Sequence, residues 1–337
     1  MAARRLDAKY PRRRWIALAL LLASVICAGL FWRMFHAEHQ DTLESLLERD
    51  LAALSISWQA VQALQRNSVT TYFEEYVQQP QTMSLLQAAQ DPEQMDQARL
   101  ALFRHLSPAY ESMLARGIRQ FHFHRPNSDS FLRFHHPSRF GDSLLEVRES
   151  IRRVNSELEP VFGFEVGRVV SGYRSVFPIM DEAGRHLGSV ELSMPFSVLQ
   201  EELQLLLPQH SIQLLLHADR QREILFDEQQ SLYEAWPASA AFLIEDPHGL
   251  RADSPPPLPP EINRLIERLG SRPELLARME QGREQAFRLK VDGRDYSVLT
   301  VPVFDPAAAA FGMVVSYVPT PAFAAIDQRL MVQLGGS

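Results

Sequence analysis

The chain has 337 residues, of which 46% are hydrophobic, with a formal net charge of −7 and a single cysteine. That length suits about two domains. With no basic stripe beyond the extreme N-terminus the charge argues against nucleic-acid binding, and one cysteine excludes an intrachain disulfide framework or a cysteine-based metal site.

Trp15 to Trp32 is an uncharged apolar run of 18 residues, long enough for one membrane-spanning helix. Arg4, Arg5, Lys9, Arg12, Arg13 and Arg14 precede it, opposed only by Asp7. The positive-inside rule then predicts a cytoplasmic segment at 1–14, a transmembrane helix at 15–34 and an extracytoplasmic remainder. A cleaved signal peptide is the competing reading. It is opposed by an apolar run longer than the usual ~7–15 residues and by the lack of a small-residue cleavage site. Cys27 reads as a buried thiol within this segment.

A long helix is predicted over 35–80. Leu43, Leu47, Leu51, Leu54, Trp58 and Val61 recur at alternating steps of four and three, and nothing breaks the pattern before Pro80. The stripe suits a core packed on its own domain or a parallel dimer seam near the membrane, and both readings stay open. Shorter helices are expected over 81–115. The period then changes to two: Phe121 and Phe123 alternate with His122 and His124, a turn follows at 125–129, and Phe131 to His135 returns. A helix at 144–158 precedes strands at about 161–169, 171–180 and 187–195. In the last of these Val190, Leu192 and Met194 oppose Ser189, Glu191 and Ser193, the pattern of a half-buried antiparallel strand.

A second, sparser cycle follows a helix at 197–206. Strands are expected at Ile212 to His217 and Glu223 to Phe226, then an extended proline tract at 254–260 and helices at 260–269 and 273–282. Strands at Ala286 to Val291, Tyr296 to Phe304 and Phe311 to Val318 complete it, before a helix and tail at 321–337. The pattern predicts an α+β fold in which a long N-terminal helix supports two antiparallel-sheet modules, at 81–200 and 201–320.

Arg133 and Arg174 stand in strand-like runs, where an unpaired guanidinium is costly. Each is therefore a candidate to grip a small organic anion bidentately, or to pair internally with Glu165 or Glu191. Tyr173 and Ser175 flank Arg174 in a central-looking strand, which ranks it slightly above Arg133. His122, His124, His135 and His136 cluster on two adjoining strands and suit a plain structural role, ligand hydrogen bonding or, as an alternative function, a metal site or a metal-dependent enzyme. Gly163, Gly167 and Gly172 lack the strand–loop–helix setting of a nucleotide site. No catalytic signature stands out, so neither an enzyme nor a cofactor is expected.

Phe121-His-Phe-His124, Ser130-Phe-Leu-Arg133, Phe140-Gly-Asp142, Gly163-Phe-Glu-Val-Gly-Arg168, Tyr173-Arg-Ser-Val-Phe-Pro178 and Leu187-Gly-Ser-Val-Glu191 together resemble the double Cache family of bacterial extracytoplasmic sensors. The closest variety is the double sensory domain found in two-component sensor kinases, and also ahead of diguanylate cyclases and chemoreceptor modules. The resemblance implies PAS-like modules, the first far from the membrane. It also implies a small ligand between the distal sheet and its cover; on the reading of residue types above, Arg174, Arg133, His122, His124, His135, Tyr173 and Glu165 are the residues expected to hold it. The heptad-like stripe of the N-terminal helix adds the expectation of a homodimer through that helix. The sequence departs from the family pattern in showing no second membrane helix or output domain, so signalling is expected to pass through a partner or a further part of a longer chain.

Overall fold

The computed structural model describes residues 11–166, 171–219, 231–248, 254 and 256–333. The strand expected at Glu223 to Phe226, with Gly167 and Arg168, lies outside them. The described chain divides into two compact units, a body at Asp50–Thr320 and a second unit formed by the segments flanking it.

The flanking unit holds the first part of helix α1 (Pro11–Tyr72) and helix α8 (Ala322–Gln333), joined by His39 Nε2 at 3.4 Å from Asp327 Oδ1. Trp15, Leu20, Leu21, Val25, Leu30 and Trp32 are all exposed, so this stretch of α1 is apolar on every side. Among the described residues it is the helix long and apolar enough to cross a membrane. Cys27 is exposed on it, contrary to the expectation of a buried thiol, because among the described residues none covers this stretch of the helix.

In the body, α1 runs on without glycine or proline. Its buried stripe is Leu54, Trp58, Val61, Gln65, Val69 and Tyr72, so the helix packs this face on its own domain. A π-helical turn, Phe73–Val77, ends it and brings Phe73 flat onto Phe177, with ring centroids 4.6 Å apart. Helices α2 (Pro80–Ala88) and α3 (Met95–Leu114) follow, the first with proline in its opening turn, where no backbone donor is missed.

The first sheet contains β1 (Gln120–His124), β2 (Ser130–Arg133), β3 (Val161–Val166), β4 (Ser171–Met180) and β5 (His186–Met194), in the order β2-β1-β5-β4-β3. All its pairings are antiparallel. Its apolar face presents Phe121, Phe123, Phe164, Tyr173, Val190 and Leu192 to α1–α3, with Trp58 stacked on Phe164 at 5.8 Å. Helix α4 (Glu149–Glu157) and the segment 134–148 roof the opposite face, where Ile151 and Val154 pack on Val161 and Val176. Gly188 has φ +134°, and a Cβ there would fall 2.1 Å from the His124 carbonyl oxygen, so only glycine lets β5 approach β1 at this point.

After α5 (Phe196–Leu206), the second sheet holds β6 (Ser211–His217), β7 (Tyr233–Trp236), β8 (Ser239–Glu245), β9 (Gln285–Val291), β10 (Arg294–Phe304) and β11 (Ala310–Pro319), in the order β7-β8-β6-β11-β10-β9. One face joins the core that contains Trp58, through Leu214, Leu216, Leu299 and Val314. The other packs Leu215, Val298, Val315 and Tyr317 on α6 (Pro260–Gly270) and α7 (Pro273–Met279). The β10–β11 turn touches the first sheet: Gly163 leaves room for Pro306, and Arg153 of α4 donates a hydrogen bond to the Pro306 carbonyl. The fold is thus α+β, with a long N-terminal helix and two antiparallel sheets.

Because the apolar stripe of α1 carries the first sheet, Trp58→Ala is expected to destabilise the body by about 3–5 kcal/mol. Asn67→Ala on the exposed side of the helix should change stability by less than about 0.5 kcal/mol. Denaturant unfolding of the full chain in detergent micelles checks the contrast, and equal effects would mean that the stripe is not the packing face.

Candidate functional site

The roofed face of the first sheet is buried and yet polar. Register pairs Gln120 with Ser193, His122 with Glu191 and His124 with Ser189, and sets Arg174 beside Ser193 on the next strand. The strand expected to be half-buried is therefore covered on both faces: the side chain of Glu191 has 0% exposure.

Three guanidiniums meet three carboxylates here. Arg174 Nη1 donates to Glu191 Oε1 at 3.0 Å, to Gln120 Oε1 at 2.7 Å and to Ser193 Oγ at 2.8 Å. Arg148, at the entry to α4, donates from Nε to Glu165 Oε2 at 2.7 Å. Its Nη2 lies 3.0 Å from Glu191 Oε2, an ion pair off the N–H axis and so not a well-formed hydrogen bond. Glu165 also accepts from Ser150 N at 2.9 Å and Ser150 Oγ at 2.7 Å, which places a carboxylate on the first turn of α4, where the helix offers unsatisfied donors. Arg133 grips Asp142 with both arms, at 2.7 and 2.9 Å, and donates to the Arg139 carbonyl at 2.8 Å. That fork pins the segment 134–148 over the sheet.

The histidines fill the space between. His122 Nε2 is 2.9 Å from Ser130 Oγ, and its Nδ1 is 3.9 Å from Glu191 Oε2. His124 Nδ1 is 3.0 Å from Ser189 Oγ, and its Nε2 is buried with no hydrogen-bond partner. Burial holds His122 neutral far below its usual range and lowers His124 to about 3. His135 is exposed at the rim, its ring 6.3 Å from that of His122; partial enclosure lowers its pKa too. Burial on its own would raise Glu191, but Arg148 and Arg174 outweigh it and keep the carboxylate ionised. Burial brings Arg174 down to about 10, against the pull of Glu191, so it stays charged at neutral pH.

The structure therefore brings together His122, His124, Arg133, Arg174 and Glu165, with His135 at the edge. Tyr173 points to the opposite face, where its hydroxyl accepts from Arg66 Nε at 3.1 Å, because neighbouring residues of a strand face opposite ways. His136 is exposed. Sequence reasoning missed Arg148, Ser150 and Asp142, which belong to an irregular segment and a helix entry with no periodic signal. His122, His124 and Glu191 place donor atoms within 4.8 Å of one another, close enough for a metal ion. The same carboxylate already answers two guanidiniums, however, and a divalent cation would be set beside both.

The site is thus a roofed polar sheet face in an α+β domain carried on a long helix. Residues 48–243, more than half of the chain, match the family model described as the double sensory domain of two-component sensor kinase, dCache_3. The chain belongs to this double Cache family. No curated protein matches it in sequence. Similar solved structures include a domain of a protein assigned to the sensory box/GGDEF family from Vibrio parahaemolyticus, at 13% identity and TM-score 0.45, covering 83% of this chain and 98% of that one. The histidine kinase DctB sensor domain of V. cholerae is similar at 12% identity and TM-score 0.43, covering 83% and 99%. The sensory domain of the Campylobacter jejuni chemoreceptor Tlp3 with isoleucine bound is similar at 11% identity and TM-score 0.41, covering 84% and 95%.

Removing one partner of a buried ion pair strands the other, so Arg174→Met is expected to cost about 3–5 kcal/mol. Arg174→Met with Glu191→Leu should recover part of that loss, read by denaturant unfolding; a double variant no better than the sum of the singles would deny the pairing. The pH dependence has a definite sign. With His122 and His124 depressed in the folded state and near 6.5 when unfolded, the unfolded chain binds more protons as pH falls. Stability should therefore decline from about pH 6.5 downward, continuing towards the His124 value of about 3. His124→Gln should flatten the upper part of that decline in melting curves taken across the range, and an unchanged slope would contradict the assignment.

Proposed function

We propose that this chain is a membrane-anchored sensory protein whose body lies outside the cytoplasm. In this reading it binds a small ligand carrying a carboxylate, an organic anion or an amino-acid-like molecule, on the roofed face of the first sheet. The observation that carries the reading is a sheet face that is both buried and ionic. For stability alone, apolar residues of similar volume would serve as well or better. The apolar first stretch of α1 and the basic residues before it support the anchor and its orientation.

Of the two arginines, Arg133 is the better ligand contact. Arg174 answers a carboxylate with no exposure, whereas the Asp142 side chain that answers Arg133 is 33% exposed. A ligand carboxylate can replace Asp142 in the Arg133 fork while His135 faces it from the rim. Releasing Asp142 frees the segment 134–148, and with it Arg148 and the start of α4. The sheet rests on α1 through Trp58–Phe164 and Phe73–Phe177, so a shift in the sheet reaches that helix. In this reading the module at 81–200 is membrane-distal and that at 201–320 proximal. Two copies pair through the N-terminal helix, and the signal passes to a cytoplasmic output domain or partner.

Thermal shift of the full chain in micelles, with L-isoleucine, other amino acids, succinate and lactate as probes, tests the site. A ligand at one hundred times its Kd adds about 2.7 kcal/mol. At least one carboxylate probe is expected to stabilise the protein. Arg133→Gln should weaken that probe by about ten-fold or more, and Asp142→Asn, which removes the competing carboxylate, should strengthen it. Unchanged affinity in both variants would reject the site.

A further inference from the structure

Strands β6 and β8 of the second sheet pair only at Leu216↔Leu243 and His217↔Phe242. Had the ladder continued, Leu214 would face Glu245 and Gln213 would face Asp246. The strands splay instead, and a cavity of about 230 Å³ opens in the gap. A cavity of roughly 150 Å³ holds benzene, so this one has room for a molecule of about seven or eight heavy atoms. Phe196 and Gln200 of α5 border one side, and Asn263 and Ile266 of α6 with the proline tract border the other.

The wall of this cavity favours neither sign of charge. Among the described residues its lining holds no lysine, arginine or histidine, so nothing there would neutralise an anion. Its two carboxylates are already engaged: Glu245 accepts from Tyr233 Oη at 3.1 Å, and Asp246 accepts from Ser254 Oγ. An ion entering such a place would lose its hydration without a partner reserved for it. What the wall does offer is neutral. Gln200, only 5% exposed, donates from Nε2 to the Ile212 carbonyl at 2.9 Å, standing in for the absent strand. That bond sets its amide and leaves Oε1 buried with no hydrogen-bond partner. Gln213 Oε1, on the neighbouring wall, is also buried without a partner. The last torsion of a glutamine is soft, and no bond among the described residues holds the Gln213 amide, so it can turn to meet a donor. Buried polar atoms are almost always satisfied, so two amide oxygens at one cavity call for N–H groups. The remaining wall is mostly apolar, including Leu214, Ile244 and Leu258.

We propose that the gap between β6 and β8 is a second ligand site, which takes a small uncharged molecule bearing a primary carboxamide on a compact hydrocarbon body. The carboxamide brings two N–H donors, one for the Gln200 oxygen and one for the Gln213 oxygen. Its own oxygen accepts from the side-chain amide of Asn263, and the hydrocarbon lies against Phe196, Leu214 and Ile244. Selection is by hydrogen-bond donors and shape, not by charge. This site is separate from the roofed face of the first sheet and does not depend on it.

Calorimetry and thermal shift on the full chain in micelles, against a micelle blank, test it with isovaleramide. The comparison set is isobutyl methyl ketone, which replaces the NH2 by a methyl group, with isovalerate and isopentylammonium as the anion and the cation. Isovaleramide is expected to bind saturably and raise the melting temperature. The ketone, which has no donor, should bind about ten-fold or more weakly, and both ions more weakly still. Gln213→Leu should weaken isovaleramide by a similar factor and leave the ketone unchanged. Ile244→Phe, which fills the gap, should abolish binding, and Arg133→Gln in the first sheet should leave binding intact. The Gln213 side chain bonds to nothing among the described residues, so its variant is expected to fold and decides the matter if Ile244→Phe does not. Equal binding of amide and ketone, an ion that binds as well as the amide, amide binding indifferent to Gln213→Leu, or no binding of isovaleramide at all would each overturn the proposal.

Discussion

A carboxylate removed from water must be neutralised by protonation or by charges that the protein supplies. Glu191 has 0% exposure at the middle of the first sheet, and the protein supplies Arg148 and Arg174. Much of the local architecture follows from that demand. Arg174 reaches Glu191 from the adjacent strand, while Arg148 must come from outside the sheet, so the segment that carries it has to fold back over the face. Glu165 then holds both Arg148 and the opening turn of α4, which fixes where the helix begins. The roof is therefore fastened by charge at its two ends, at Arg133–Asp142 and at Arg148–Glu165, while Ile151 and Val154 give it an apolar footing between.

The strands and helices with a clean period were legible in the sequence, and the physical reason is common to them. The stripe at Leu54, Trp58 and Val61 is buried because a helix has one face to bury, and the alternation in β1 and β5 assigns each residue a side. What alternation cannot tell is whether a polar side meets water or another part of the protein. Ser189, Glu191 and Ser193 read as an outward face for that reason. The covering segment 134–148 is irregular, so no period announced that it would lie there. Arg133 and Arg174 were legible as charges that need partners, and Glu191 was among the partners named, whereas Asp142 and Arg148 were not.

The second sheet was less legible at β7 and β8. These strands are short, the Pro237 turn separates them, and much of their surface is exposed, so they lack the apolar alternation that marks a buried strand. The gap between β6 and β8 has no sequence signal at all. It arises where a ladder stops after two pairs, and the side chain of Gln200, on a helix, supplies a bond that a strand would have made.

The hydrogen bond from Arg153 to the Pro306 carbonyl gives α4 two allegiances. One end of the helix is tied to the ionic cluster through Glu165, and its body is tied to a turn of the second sheet. Gly163 keeps that turn close, since a Cβ there would press to 3.2 Å on the Pro306 nitrogen. Free energies around such a shared member are reciprocal. Whatever immobilises the β10–β11 turn raises the work needed to lift α4, and whatever lifts α4 loosens the turn by the same amount. The two sheets are thus tied to each other at this turn, through a helix that the first sheet also holds.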